Sequence, residues 1–63
     1  MKYYIEIYND KLKYWQKTGL SFKKKEDAIK EVDRLFFVAQ SKKSYRIVER
    51  IKIVAERLFI HTN

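Results

Sequence analysis

Side chains that could carry out catalysis are few in this sequence, and their positions do not form a catalytic set. The candidate nucleophiles are Ser21, Ser41 and Ser44, and the only histidine that could serve them as a base is His61, third from the end. A nucleophile is activated by a base within hydrogen-bond reach, whereas residues near a chain end are poorly ordered unless something holds them. We therefore predict that the protein is not an enzyme.

Metal and cofactor sites are not indicated by the sequence either. Cysteine is absent and histidine occurs once, so the ligands of a structural zinc site are missing. Asp27 and Glu31 lie one helical turn apart and could share a cation, but such a pair is more often part of a solvated charged surface. A single glycine, Gly19, leaves no glycine-rich loop to hold phosphate groups. We expect no metal and no cofactor.

The residues best suited to a function are aromatic and basic side chains on two predicted strands. The segment Lys2 to Tyr8 alternates with the two-residue period of a strand, and a second strand is predicted from about Leu12 to Thr18. A hairpin turn at Asn9, Asp10 and Lys11 joins them. The side chains assigned to the inner face are Tyr3, Ile5, Ile7, Leu12 and Tyr14. The outer face then displays Tyr4, Tyr8, Lys13, Trp15 and Lys17.

This outer face has two functional interpretations and one structural alternative. Its rings could stack on bases while its ammonium groups contact phosphates, or the two-stranded ribbon could enter a DNA major groove. The same tyrosines and tryptophan could instead form the centre of a protein interface, because Tyr, Trp and Arg are enriched at binding hot spots. The remaining alternative is a plain structural face. We rank a protein partner first and nucleic acid second.

The net charge bears on the same choice. Fifteen Lys and Arg residues against eight Asp and Glu residues give a formal charge of +7. A positive field on so small a protein favours polyanionic partners such as nucleic acid or an acidic protein surface. The alternative is a lysine-rich composition that only maintains solubility.

A helix is predicted from about Lys24 to Ala39. Its apolar positions recur with helical spacing, and the stripe they form is predicted to pack on the sheet; its members are Ala28, Ile29, Val32, Leu35, Phe36 and Ala39. Gly19 is predicted to end the preceding strand, and Phe22 to pack against the first helical turn. Phe37 projects away from the stripe, which indicates either a binding contact or cover from the C-terminal segment of the chain.

The C-terminal third supports more than one interpretation. Tyr45 to about Ile53 fits a strand, which the β-branched residues favour, although a helix also matches part of the spacing. We favour the strand because two strands and a helix make a sheet too small to be stable alone. Arg46 and Arg50 lie on one side of it and join the candidate binding residues. Residues 54–61 then continue the strand, turn back as a fourth strand, or form a helix.

Length and composition predict one small folded domain over residues 1–63. With 46% hydrophobic residues the chain is too apolar for intrinsic disorder, but 63 residues enclose only a thin core. A strand continuing beyond Ile53 would expose an edge that recruits a second chain. We therefore predict a homodimer. The sequence shows neither a signal peptide nor a membrane-spanning segment, so we expect a cytoplasmic protein that does not bind membranes.

The residues that enter the helix, Gly19 to Ala28, resemble those of small phage-type ββαβ proteins, and Tyr45 to Arg50 resembles their following strand. The helix entry is also similar to the arm-type DNA-binding domain of tyrosine recombinases, over about Leu12 to Phe36. Such arm-type domains usually have three strands before the helix and a Thr at the cap position occupied here by Lys24. The recombinase resemblance implies DNA binding by Lys13, Trp15 and Lys17. The phage resemblance implies no activity, because such proteins often act by occluding a host protein.

The sequence thus predicts an α+β fold, with a single-layer antiparallel sheet and one packed helix in the order ββαβ, and an extra C-terminal strand or helix. The predicted function is that of a small basic binding module acting through protein contacts, as a phage or mobile-element protein that modulates a host protein. The alternative is a nucleic-acid-binding protein with a basic aromatic sheet face. The candidate binding residues are Tyr4, Tyr8, Lys13, Trp15, Lys17, Phe37, Arg46 and Arg50.

Overall fold

A computed structural model of the chain describes residues 2–39 and 42–59. In that part of the chain, two strands precede a helix and two follow it. The elements are β1 (Tyr3–Asn9), β2 (Tyr14–Phe22), α1 (Lys25–Asp33), a π-helical turn (Arg34–Val38), β3 (Tyr45–Glu49) and β4 (Lys52–Arg57). The helix and its π-helical turn together form one continuous helical segment.

The four strands form one antiparallel sheet in the order β2-β1-β3-β4. Strands β1 and β2 form one hairpin, β3 and β4 form another, and β1 pairs with β3 across the middle. The predicted α+β class, with one helix on an antiparallel sheet, is confirmed. The extra C-terminal element is a strand, so the order is ββαββ.

The hydrophobic core lies between the sheet and α1. Alternation along β1 and β3 turns Ile5, Tyr45 and Ile47 toward the helix, where they meet Ala28 and Val32. Partly buried apolar residues pack around this cluster: Tyr3, Ile7, Phe22, Ile29, Leu35, Phe36, Val54 and Ala55. The predicted inner positions of β1 and the packing role of Phe22 are confirmed. Of the predicted helix stripe, Ala39 is the exception, since it is exposed.

The β1–β2 connection differs from the prediction in its length and in its inner residues. Asn9 organises the turn, because its Oδ1 accepts hydrogen bonds from the backbone N–H groups of Lys11 (3.0 Å) and Leu12 (2.9 Å). The strand therefore begins only at Tyr14, and Lys13 adopts a positive φ of 60° in the turn. Leu12 is not an inner residue, since it is 60% exposed in the turn. Tyr14 shares the helix-covered face but is 47% exposed.

Gly19 does not end β2, contrary to the prediction. The strand continues to Phe22, and Gly19 sits in a bulge where three residues of β2 oppose the single residue Ile5 of β1. Its φ of 89° is one that side-chain-bearing residues rarely adopt. The bulge is closed by the Thr18 hydroxyl, which donates to the Ile5 carbonyl oxygen at 2.9 Å.

The strand predicted from Tyr45 to Ile53 is instead two strands. The chain reverses at Arg50 and Ile51, so that Glu49 pairs with Lys52 in a hairpin. Of the three alternatives for residues 54–61, the described part shows the antiparallel fourth strand, because β3 ends at Glu49, four residues before the predicted end at Ile53. The prediction of a protruding strand, on which the predicted homodimer depended, is therefore wrong. Positions 60 and 61 lie outside the described residues.

Candidate binding face and its cleft

One face of the sheet is left uncovered by the helix, and we call it the open face. Directly paired residues lie on the same side of a sheet. The pairs Tyr8–Trp15, Glu6–Lys17, Glu6–Arg46, Tyr4–Val48 and Val48–Ile53 are therefore opposite the core residues Ile5 and Ile47. The open face consists of Tyr4, Glu6, Tyr8, Trp15, Lys17, Ser21, Arg46, Val48, Ile53 and Glu56.

The centre of the open face is a compact cluster of two rings and an ion pair. The Arg46 Nε donates to the Glu6 Oε1 at 2.6 Å, and the Arg46 guanidinium lies 4.5 Å from the centre of the Trp15 ring. Tyr8 packs edge-on against Trp15, with ring centres 5.2 Å apart. Because the side chains of Arg46 and Glu6 are only 23% and 13% exposed, this pair is shielded from water on a surface that is otherwise open.

Beside this cluster is a cleft of about 220 Å³ that is open to solvent. Its lining residues are Tyr4, Glu6, Lys17, Val48 and Arg50. Val48 is buried although it lies on the face opposite the core, so it provides an apolar floor. Among the described residues, Lys17 and Arg50 have no salt-bridge partner. The cleft therefore has two cations at its rim and a Glu6 carboxylate whose charge is offset by Arg46.

Arg50 reaches this cleft from a strained turn. It is the first of the two residues that connect β3 to β4, and its φ is 59°. Hairpin positions with positive φ are normally occupied by Gly, Asn or Asp, because a Cβ is sterically disfavoured there. The neighbouring Ile51 is 98% exposed at the tip of the hairpin.

The structure brings together most of the predicted binding residues. Tyr4, Tyr8, Trp15, Lys17 and Arg46 share the open face, and Arg50 lines its cleft. Two predicted binding residues do not lie on the open face. Lys13 is in the β1–β2 turn, and Phe37 is in the π-helical turn of the helical layer.

Phe37 is exposed as the helical spacing predicted, at 60%, and packs edge-on against Phe36 with ring centres 4.8 Å apart. The C-terminal segment proposed as its cover begins at position 54. Positions 60 and 61 of that segment lie outside the part of the chain that the structure describes.

Five open-face residues were not among the predicted binding residues: Glu6, Ser21, Val48, Ile53 and Glu56. Glu6 has the same strand parity as Tyr4 and Tyr8, so the alternation placed it outside, but its pairing with Arg46 spans 40 positions and has no local signal. Val48 was placed beside Arg46, yet its burial depends on neighbours from β1 and β4. Ile53 was assigned to the opposite side because a straight strand was predicted there, whereas the turn at Arg50 and Ile51 pairs Ile53 with Val48.

The cations outside the open face are spread over both ends of the sheet. Lys11, Lys13, Lys42 and Lys43 lie at the end that contains the β1–β2 turn, whereas Lys23, Lys24, Lys25, Arg50 and Lys52 lie at the other. Acidic residues are interspersed at both ends, such as Asp10 and Glu49. The net charge thus does not form a single continuous stripe.

Two ionisable groups outside the open face have shifted pKa values. Hydrogen bonding to Arg34 lowers the pKa of Glu31 below its ordinary value, with a bidentate contact of 2.9 and 2.7 Å on the outer side of the helix. Partial burial and the neighbouring Glu49 raise the pKa of Tyr3. Neither group contacts the open face.

Metal ligands and membrane spans were sought in residues 2–39 and 42–59. No group of three or more His, Asp or Glu side chains there is placed to hold a metal ion. In the same residues, no helix is long and apolar enough to cross a membrane.

Comparisons with protein-family models, with curated proteins and with solved structures found no match for this chain. The resemblances to small phage-type proteins and to recombinase arm-type domains therefore stay predictions from the sequence. Any functional assignment depends on the geometry and charge of the open face.

Proposed function

We propose that this protein is a non-enzymatic binding module whose open face binds an acidic surface of a partner protein. The observation that carries the proposal is the Trp15–Arg46–Glu6 cluster at the centre of an uncovered sheet. Trp, Tyr and Arg are the residues enriched at binding hot spots, which lie near the centres of interfaces. Here they occupy the middle strands and the neighbouring edge strand of one face.

The cluster is ordered before any partner arrives. Arg46 is held by Glu6 on one side and by the Trp15 ring on the other, so its side-chain freedom is already restricted. Ordering a long side chain on binding costs about 0.5–1.5 kcal/mol. A face whose central side chains are already fixed avoids much of this cost, which favours a binding surface over a merely solvated one.

The same contacts favour a protein partner over single-stranded nucleic acid. Stacking of bases needs exposed ring faces, but the Arg46 guanidinium lies over the Trp15 ring and the edge-on contact with Tyr8 occupies another part of it. The cations are also divided between the two ends of the sheet. A mixed face with Glu6 and Glu56 beside the arginine suits a protein surface better than a polyphosphate backbone.

The partner is expected to be acidic because the net charge is +7. The open face adds Lys17, and Arg50 at its border, which have no salt-bridge partner among the described residues. A second copy of this chain would bring the same positive charge to the interface. Self-association through the open face is thus opposed by electrostatics, and sedimentation at several concentrations would test the predicted homodimer.

A capture experiment with two matched charge reversals tests the proposal. Lys17→Glu alters the open face, whereas Lys30→Glu makes the same change on an exposed position of α1. The wild-type protein should retain a partner from lysate of the cells that produce it, after nuclease treatment and at moderate salt. Lys17→Glu should release that partner and Lys30→Glu should retain it.

Three outcomes would contradict the proposal. Equal capture by both variants would exclude the open face, and equal loss would indicate a non-specific charge effect. Capture that disappears with nuclease, with affinity falling steeply as salt rises, would show nucleic acid instead, because phosphate binding releases counterions. That last result is what the alternative nucleic-acid function predicts.

A further inference from the structure

The geometry points to a carboxylate-binding site: we propose that the cleft holds one aspartate or glutamate side chain of the partner, between Lys17 and Arg50. This inference rests on the proposed function and specifies which group of the partner is recognised. The cleft combines residues from both hairpins, since Tyr4, Glu6 and Lys17 come from the first and Val48 and Arg50 from the second.

The charges around the cleft fit an anion. Lys17 and Arg50 line it, and neither has a salt-bridge partner among the described residues. The Glu6 carboxylate also lines it but is bound to Arg46 at 2.6 Å. An entering carboxylate would therefore meet two available donors and one acidic group that is already paired. Hydrogen bonds between charged groups are roughly twice as strong as neutral ones.

The size of the cleft fits a side chain rather than a small-molecule cofactor. Ligand pockets usually measure about 300–1,000 Å³ and enclose most of their ligand, whereas this cleft measures about 220 Å³ and is open on one side. At about 30 Å³ per water molecule, that volume corresponds to about seven waters. A carboxylate on a short aliphatic stem fills such a space, with its methylene groups on the Val48 floor and the Tyr4 ring.

A carboxylate matches the cleft better than a phosphate in the number of its acceptor oxygens. A phosphate monoester carries a charge of about −1.5 to −2 at neutral pH and three acceptor oxygens. Lys17 and Arg50 would attract such a doubly charged group more strongly than a carboxylate, so the assignment depends on matching the number of oxygens to the number of donors. Two donor side chains also match the two oxygens of one carboxylate.

The strained turn at Arg50 supports a functional role for that side chain. An arginine with a φ of 59° is sterically disfavoured, and glycine or asparagine would adopt the same backbone more easily. Disfavoured backbone conformations concentrate at ligand-binding sites, where the side chain serves a purpose other than stability. Lys13 and Lys42 also have a φ near +60°, and Arg50 is the one of these three residues that lines the cleft.

Titration with small probes, followed by amide and Arg Nε chemical shifts, tests the site directly. The probe is N-acetyl-glutamate α-amide, whose only charge is its side-chain carboxylate, and the matched control is N-acetyl-glutamine α-amide. Ionic strength is kept constant with sodium chloride. The carboxylate probe should give saturable shifts at Tyr4, Lys17, Val48 and Arg50, with an affinity of about millimolar strength, and the glutamine probe should give none.

Variants connect these shifts to the proposed donors. Arg50→Gly and Arg50→Asn both suit the positive φ and remove the charge, so each should weaken the carboxylate probe at least about tenfold while the unfolding midpoint is unchanged or raised. Lys17→Gln should weaken it similarly, and Lys30→Gln, on the helix, should have no effect. Uniform shifts across all lysines, equal binding of the glutamine probe, or unchanged affinity in both Arg50 variants would overturn the site.

Two further probes distinguish the other anions, and partner capture separates the two proposals. Tighter binding of inorganic phosphate, or of a short oligothymidylate, than of the carboxylate probe in the cleft would overturn the carboxylate assignment.

If Lys17→Glu releases the partner but Arg50→Gly and Arg50→Asn do not, the proposed function stands and the carboxylate site is wrong. If all three variants retain the partner, both proposals are wrong.

Discussion

The Glu6–Arg46 pair is predicted to stabilise the fold more than an ordinary surface ion pair. The perturbation is a double-mutant cycle of Glu6→Gln, Arg46→Gln and both together. Glutamine retains much of the side-chain length and some hydrogen bonding, so each change removes mainly a charge. The cycle isolates the pairwise energy because the effects of the two single changes are subtracted from that of the double change.

The magnitude follows from the contacts of Arg46. A hydrogen bond to a charged group contributes about 1.5–3 kcal/mol, and the guanidinium over Trp15 adds about 0.5–1 kcal/mol or more where water is excluded. Arg46→Gln should therefore lower the free energy of unfolding by about 2–3 kcal/mol. The coupling between the two residues should be about 1–2 kcal/mol, above the 0.2–1 kcal/mol typical of exposed pairs, because both side chains are largely shielded.

Urea unfolding followed by circular dichroism and by the fluorescence of Trp15, the only tryptophan, measures these energies. At about 0.05–0.15 kcal/mol per residue, a domain of this size has a free energy of unfolding of roughly 3–9 kcal/mol. A loss of 2–3 kcal/mol would lower the melting temperature by roughly 10–20 °C, so the measurements belong at low temperature. A coupling energy below about 0.5 kcal/mol would refute the reasoning, because the pair would then behave as a solvated one.

Three further predictions concern the fold and its pH response. Ile47→Ala should lower the free energy of unfolding by about 2–5 kcal/mol, because Ile47 is buried. The matched change Ile51→Ala should lower it by less than about 0.5 kcal/mol, because Ile51 is 98% exposed. Equal losses of the two variants in urea unfolding would contradict the assignment of Ile47 to the core. Gly19→Ala should cost more than about 1 kcal/mol through its φ alone, since nothing lies within 4 Å of the added Cβ; a neutral result would contradict the strain. Arg34 lowers the pKa of Glu31 in the folded state, so the Glu31–Arg34 contact should stabilise the fold above the ordinary Glu pKa of 4.5, and this stabilisation should be lost as the pH falls below that value. In Arg34→Gln, the carboxyl chemical shifts of Glu31 should report its ordinary pKa. A pKa of Glu31 that is the same in Arg34→Gln as in the wild-type protein would exclude the contact.

Much of the fold was predictable because its signals are local. The alternation of Tyr3, Ile5 and Ile7 identifies a strand with one buried face, and the spacing of Ala28 and Val32 identifies the helical stripe that covers it. These positions are in the core. The confirmed α+β class follows from them, because a sheet with one apolar face needs a covering layer.

The rest was not predictable because it depends on backbone conformations that the residue types disfavour. Arg50 and Ile51 are not typical turn residues, so the β3–β4 reversal had no sequence signal. Gly19 looked like a strand end because glycine interrupts strands, yet here it forms a bulge within one. Leu12 looked like an inner strand residue, but the side chain of Asn9 extends the turn past it.

The candidate face was predictable in composition but not in arrangement. Strand parity placed Tyr4, Tyr8, Trp15 and Lys17 together because residues two apart share a side. The cleft required the pairing of β1 with β3, which joins positions 38 to 44 apart in the chain and leaves no periodic pattern. Arg50 joins that cleft only because the chain turns where the sequence predicted a straight strand.

The β1–β3 pairing also sets the order in which the protein is expected to fold. Each hairpin closes locally, on the scale of about 1–10 μs, whereas Ile5 and Ile47 must meet across 42 positions of chain and so pay a larger loop-closure entropy. Docking of the two hairpins, with α1 over their junction, is therefore the expected kinetic barrier. The cleft straddles that junction, so a ligand bound between Lys17 and Arg50 would act as a clamp that slows the separation of the hairpins and leaves their formation unchanged.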